Sequence, residues 1–147
     1  MKEQFIQLCT IGNLDYIKKL ITKQYVNIHV ENERGFRWAC RHGYLHIVEY
    51  LISLYKINTD YTKINIHIKD ELGFRWACMN GHLHIVKYLT NLYKIQQSRN
   101  TDYKIINIHS YNEGGFNLAC ENEQKYIVKY LLSIGSYLLN HEYIVLL

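Results

Sequence analysis

The sequence predicts an all-α fold, an array of short helix pairs stacked side by side, and three observations carry that prediction. The hexapeptide Gly-Phe-Arg-Trp-Ala-Cys stands at Gly35–Cys40 and again at Gly73–Cys78, with a third copy, Gly-Phe-Asn-Leu-Ala-Cys, at Gly115–Cys120. Copies at steps of 38 and 42 residues mean one supersecondary unit repeated. Within each copy the apolar residues keep helical spacing. Finally, Cys9, Cys40, Cys78 and Cys120 fall at one matching position, once per unit.

The elements follow in order. Phe5, Leu8, Cys9, Gly12, Leu14, Ile17, Leu20 and Ile21 form a faint leading copy, an N-terminal capping helix pair over about 1–24. Residues 1–7 have no continuous apolar core, which reads as a helix and not as a signal peptide. The second unit, about 25–62, enters through a strand-like Asn27–His29. Phe36, Ala39 and Cys40 at i, i+3 and i+4 then give a first helix of about two turns. Gly43 stops it in the left-handed region, and Leu45, Ile47, Val48, Leu51 and Ile52 give the buried face of a second helix. The third unit, about 63–104, repeats this frame with Asn65–His67, Phe74, Gly81 and Leu83–Leu89.

In the fourth unit, about 105–135, Asn117 and Leu118 replace Arg and Trp, and Glu123 stands where Gly43 and Gly81 stood. A side chain there costs roughly 1 kcal/mol, so the turn is expected to change shape. From Ser136 a C-terminal capping helix is expected over 136–147, its apolar tail covering the last unit. A self-association surface or a truncated longer array are the alternatives.

The 147 residues make a single domain. No run of 18 apolar residues exists, so no membrane span is expected. The net charge of +4 comes from dispersed basic residues without a recognisable nucleic-acid module, so nucleic acid is not an expected partner. Thiols at one equivalent buried site per unit are core fillers, not a disulfide framework, which implies a reducing compartment.

These residues resemble an ankyrin repeat. Its pattern, Thr-Pro-Leu-His-x-Ala-Ala-x-x-Gly-His and then x-x-Ile/Val-Val-x-x-Leu-Leu, is kept in its second half by Ala77–Leu89. The front half departs, Arg34–Arg37 and Leu72–Arg75 standing in place of Thr-Pro-Leu-His. The Phe-Arg-Trp-Ala wording after an Ile-His stretch resembles the ankyrin proteins of amoebal giant viruses of the mimivirus type. Abundant Ile, Asn, Lys and Tyr with no Pro fit an A+T-rich coding sequence. The resemblance covers about residues 3–135. It implies an ankyrin-repeat helical solenoid, a non-enzymatic module binding a host or viral protein in the host cytosol. A self-assembling structural module and a ubiquitin-ligase adaptor are the alternatives, the latter wanting a longer C-terminal segment than 136–147.

No metal or cofactor is expected. Cys78, His82 and His84 have ligand-like spacing, and His42 with His46 is an i, i+4 pair. However, zinc needs about four ligands converging on one point, and a repeat array spreads these apart. No acid pair, nucleophile–base set or phosphate loop stands out, so no catalytic residue is assigned. The thrice-repeated Asn-Ile-His reads as a hydrogen-bonding strut. Arg37 and Arg75 are assigned to carbonyls of adjacent turns. Trp38 and Trp76 are assigned to packing between repeats, with a cost of roughly 3–5 kcal/mol for Trp76→Ala.

The connections from second helix to next His lengthen from 9 (Leu20 to His29) to 16 (Leu51 to His67) to 20 residues (Leu89 to His109). The resulting arms, turning at Asn58–Tyr61 and Gln96–Tyr103, are candidates for partner contact. Neutral lengthening by duplication explains them equally well. The individual candidates are Tyr44, Tyr61, Tyr103 and Arg99, Tyr being a frequent interface residue.

Overall fold

The computed structural model describes residues 1–23, 26–97 and 104–135, the side chains of 93–97 excepted. Among the described residues there are eight helices and no strand: α1 (Lys2–Ile11), α2 (Leu14–Lys23), α3 (Val30–His42), α4 (Leu45–Ile57), α5 (Ile68–Met79), α6 (Leu83–Gln97), α7 (Ser110–Glu121) and α8 (Lys125–Ile134). Each odd-numbered helix pairs with the even-numbered one that follows it. The odd-numbered helices pack on one another in chain order, α1 on α3, α3 on α5 and α5 on α7, making a first row. In the second row α4 touches α6, and α6 touches α8. No described helix is long and apolar enough to cross a membrane. The expected C-terminal helix at 136–147 and the residues 98–103 of the longer arm lie outside the described residues.

The repeated hexapeptide is explained by contact between successive first-row helices. Phe5, Phe36 and Phe74 are fully buried, and Phe116 nearly so. A Cβ on Gly73 would lie 2.9 Å from Phe36 Cε1 and 3.3 Å from Cys40 Sγ. The same holds for Gly35 against Phe5 at 2.7 Å and for Gly115 against Phe74 at 2.6 Å. Glycine in each unit is therefore the seat for the Phe and Cys of the unit before it. Burial pushes the thiols up, Cys9 to about 12 and Cys120 to about 11, and the same desolvation raises Cys40 and Cys78. All four are free.

Gly43 ends α3 at φ 82°, its N–H donating to Ala39 O, as the sequence predicts. The fourth unit corrects an expectation. Glu123 holds the same left-handed conformation at φ 56°, so the turn keeps its shape despite the side chain. The contacts of the helices around it outweigh a penalty of about 1 kcal/mol.

A second departure was not foreseen. Glu31, Asn32 and Glu33 all lie in the left-handed region, at φ 52°, 57° and 60°, and so do Lys69–Glu71 and Tyr111–Glu113. Each odd-numbered helix from α3 onward thus opens with one left-handed turn before its right-handed part. Three such residues in succession are costly, and something must hold them.

Candidate functional site

The holding groups are the residues that recur in every unit. Arg37 Nε donates to Asn32 O at 2.7 Å and its Nη2 donates to Glu31 O at 2.8 Å. Arg75 repeats this on Asp70 O at 2.8 Å and Lys69 O at 2.9 Å. The guanidinium fork thus takes two carbonyls that a left-handed turn leaves unbonded. Burial also lowers the Arg37 pKa from its usual value.

The Asn-Ile-His triplets act as struts. Asn65 Oδ1 accepts from the His67 N–H at 3.0 Å, and the His67 ring Nδ1 donates to Glu71 Oε1 at 2.8 Å. Glu71 Oε1 also accepts from the N–H of Asn107 in the next unit at 3.2 Å. The preceding unit repeats it: His29 Nδ1 donates to Glu33 Oε1 at 2.9 Å, which accepts from Asn65 N–H at 3.1 Å. A buried carboxylate therefore ties each entry segment to the following one. The left-handed turn brings Glu back under His, so the sequence alone hid this pairing.

The other side of the first row is aromatic and cationic. Phe36, Ala39 and Cys40 point into the core, which leaves Arg34, Trp38 and Arg41 (i, i+4, i+7) on the opposite stripe of α3. Trp38 and Trp76 are half-buried and pack between units, as the sequence reading has it, with Trp38 resting against the edge of the core. Their rings meet across units, with centroids 5.9 Å apart and planes at 53°. Arg41 sits in the notch they form, 4.8 Å from the Trp38 centroid and 5.3 Å from that of Trp76. Arg37 lies 5.6 Å over Trp76, and Arg34 lies 5.8 Å over Trp38. His42 stacks on Trp38 at 5.4 Å, and Arg75 lies 4.3 Å over the exposed Tyr111.

Beside this face runs a line of rings at the inter-helix turns. The Tyr44 ring covers Gly12, and His82 covers Gly43, with its Nε2 donating to Arg41 O at 2.9 Å. His46 and His84 donate to the carbonyls of Gly12 and Gly43. Desolvation lowers the His82 pKa below its usual value. Among the described residues no group of three or more His, Cys, Asp and Glu gathers where a metal could sit.

The proposed contacts separate. Tyr44 is half-buried on Gly12. Tyr61, read as a surface residue, is only 5% exposed, and its hydroxyl accepts from the N–H of Val26 at 3.2 Å. It fastens the shorter arm to the entry segment of its own unit, helped by Thr62 Oγ1 at 2.9 Å from His29 Nε2. Tyr103 and Arg99 lie outside the described residues. What sequence reasoning missed, the Trp–Arg stripe, was signalled by helical phase, since Trp38 is half a turn away from Phe36.

Over 63 residues, 43% of this chain, the sequence is 33% identical to a protein of Acanthamoeba polyphaga mimivirus that bears the name of an ankyrin repeat protein. Those residues are 11% of that protein, so the chain spans about a tenth of its length. No family model and no solved structure matches the chain. The likeness to a mimivirus ankyrin repeat protein and the all-helical fold of paired, stacked helices agree with an ankyrin-like chain.

Proposed function

We propose that the chain is a single ankyrin-type solenoid domain, with units at about 1–24, 25–62, 63–104 and 105–135, that binds a protein partner through its first-row face. Giant viruses of the mimivirus type are the setting, and a host or viral protein in the host cytosol is the partner class. The observation that carries this reading is the pair of half-buried indoles, Trp38 and Trp76, ringed by guanidinium groups. Partly open Trp and Arg together are the residue types enriched at protein interfaces. The recurring polar groups, by contrast, are taken up by the frame: His29 and His67 by carboxylates, Arg37 and Arg75 by carbonyls. That supports a binding module and not an enzyme. The shorter arm is fastened down at Tyr61, so the face takes precedence over the arms.

The test is co-purification with the tagged chain, comparing wild type with the Trp38→Ala/Trp76→Ala double variant after both are shown to fold. Partners recovered by the wild type and lost by the variant support the face. Equal recovery removes it. A chain that recovers only itself, and scatters light as an oligomer, supports the self-assembling alternative.

A further inference from the structure

Arg41 differs from every other arginine on this face. Arg34 pairs with Glu31, which also takes Lys2 at 2.7 Å, and Arg37 and Arg75 are spent on backbone carbonyls. The buried carboxylates of Glu33 and Glu71 belong to His29 and His67. Among the described residues Arg41 has aromatic neighbours and neither a hydrogen-bond acceptor nor an ion-pair partner. Two tilted indoles hold its guanidinium at 4.8 and 5.3 Å, contacts that leave its N–H donors unused. A guanidinium held in place loses less side-chain freedom on pairing, and a planar fork matches a carboxylate in bidentate geometry.

The surroundings are lopsided in charge. Arg34, Arg37 and Arg75 stand nearby on the same row, while the Glu31 carboxylate is shared between two cations. Such a field favours an anionic partner. It does not offer a base-stacking platform. His42 covers one face of Trp38 in nearly parallel stacking at 12°, and Arg37 and Arg41 lie over Trp76. Single-stranded nucleic acid needs open aromatic faces.

We propose that the Trp38–Arg41–Trp76 notch is a carboxylate-reading subsite, and that the partner presents an acidic protein segment there, one Asp or Glu side chain paired with Arg41. This rests on the protein-binding reading above and names the chemistry of the partner.

Trp38 and Trp76 are the two tryptophans of the chain, so indole fluorescence reports on the notch directly. The full chain is titrated at low ionic strength with a glutamate-rich peptide blocked at both ends, and separately with an oligouridylate of equal charge. Wild type, Arg41→Gln, Arg41→Lys and Lys129→Gln are compared. The last removes the same charge from the exposed side of α8. The expected result is a saturable fluorescence change with the peptide, weakened fivefold or more in Arg41→Gln and less than twofold in Lys129→Gln. Arg41→Lys keeps the charge and loses the fork, so it should weaken binding at least twofold, and it decides the matter if Arg41→Gln fails to fold. No fluorescence change with the peptide, equal weakening by the Arg41 and Lys129 variants, or tighter binding of the oligouridylate would each overturn the proposal. If Arg41→Gln still co-purifies with the cellular partner that the double tryptophan variant loses, the protein-binding reading survives and the carboxylate subsite does not.

Discussion

Removing the Glu71 carboxylate tests the tie between units most directly. Its side chain is 6% exposed. It serves the His67 ring at 2.8 Å and the Asn107 N–H at 3.2 Å. Each hydrogen bond to a charged acceptor is worth about 1.5–3 kcal/mol when one partner is deleted. His67 and Asn107 reach water in part and recover some of that, so Glu71→Ala should cost about 2–3 kcal/mol. Glu71→Gln keeps the shape and one acceptor oxygen, and should cost about 1 kcal/mol. The equivalent Glu113 is 40% exposed, and no following unit takes its second bond among the described residues. Its loss should cost under about 1 kcal/mol. Urea unfolding at constant m-value and thermal melts measure the series. At about 3 °C per kcal/mol for a chain of this size, Glu71→Ala should melt roughly 6–9 °C below wild type. A Glu71→Ala protein melting within about 1 °C of wild type, or a Glu113→Ala loss as large as that of Glu71→Ala, would refute the tie.

Two further predictions come from burial. Phe74→Ala and Trp76→Ala, two residues apart on α5, should differ sharply: about 3–5 kcal/mol for the fully buried ring and about 1–2 kcal/mol for the half-exposed one. Equal losses in urea unfolding would return Trp76 to the core. His82→Gln should flatten the acid side of the stability profile. Desolvation puts the folded pKa of His82 below its ordinary 6.5, so the unfolded chain binds the extra proton and stability falls as pH drops through that value. Gln124 fills the corresponding place in the next unit, so the variant should fold. A profile between about pH 6.5 and 5 as steep as that of the wild type would show that another group titrates.

The helix pairs, the Gly43 stop and the buried face of each second helix were legible because they depend on local spacing. Ile47, Val48, Leu51 and Ile52 are all buried, as their period requires. The function of Arg37 was legible as a type of bond, to backbone carbonyls, but not as a target. The left-handed turn at Glu31–Glu33 could not be foreseen, since none of its residues is glycine and nothing in their order announces positive φ. Its cause is tertiary: the fork of Arg37, the ring of His29 and the N–H of Asn65 meet there only after the stack has formed. The tryptophans were legible as contacts between units, but not as partly open to solvent. The cost expected for Trp76→Ala was that of a core truncation, although the phase of both indoles relative to Phe36 put them on the opposite stripe. Tyr61 erred the other way, its polar tip suggesting the surface while the hydroxyl serves a buried N–H.

The units differ from one another in a way that separates frame from face. At the position of Arg37 and Arg75 the divergent unit carries Asn117, yet its amide still donates to Asn112 O at 3.0 Å, the carbonyl equivalent to Asn32 O. The bond persists in reduced form because the left-handed turn persists. Nothing comparable constrains the neighbouring positions. The indoles give way to Leu118, and Arg41 is matched by Met79 and Glu121 in the later units. A group that holds the stack must recur wherever the stack recurs, whereas a group that reads a partner is needed once. By that criterion Arg37 and Arg75 are frame, and the single guanidinium at Arg41, set against two indoles from different units, fits the proposed binding face.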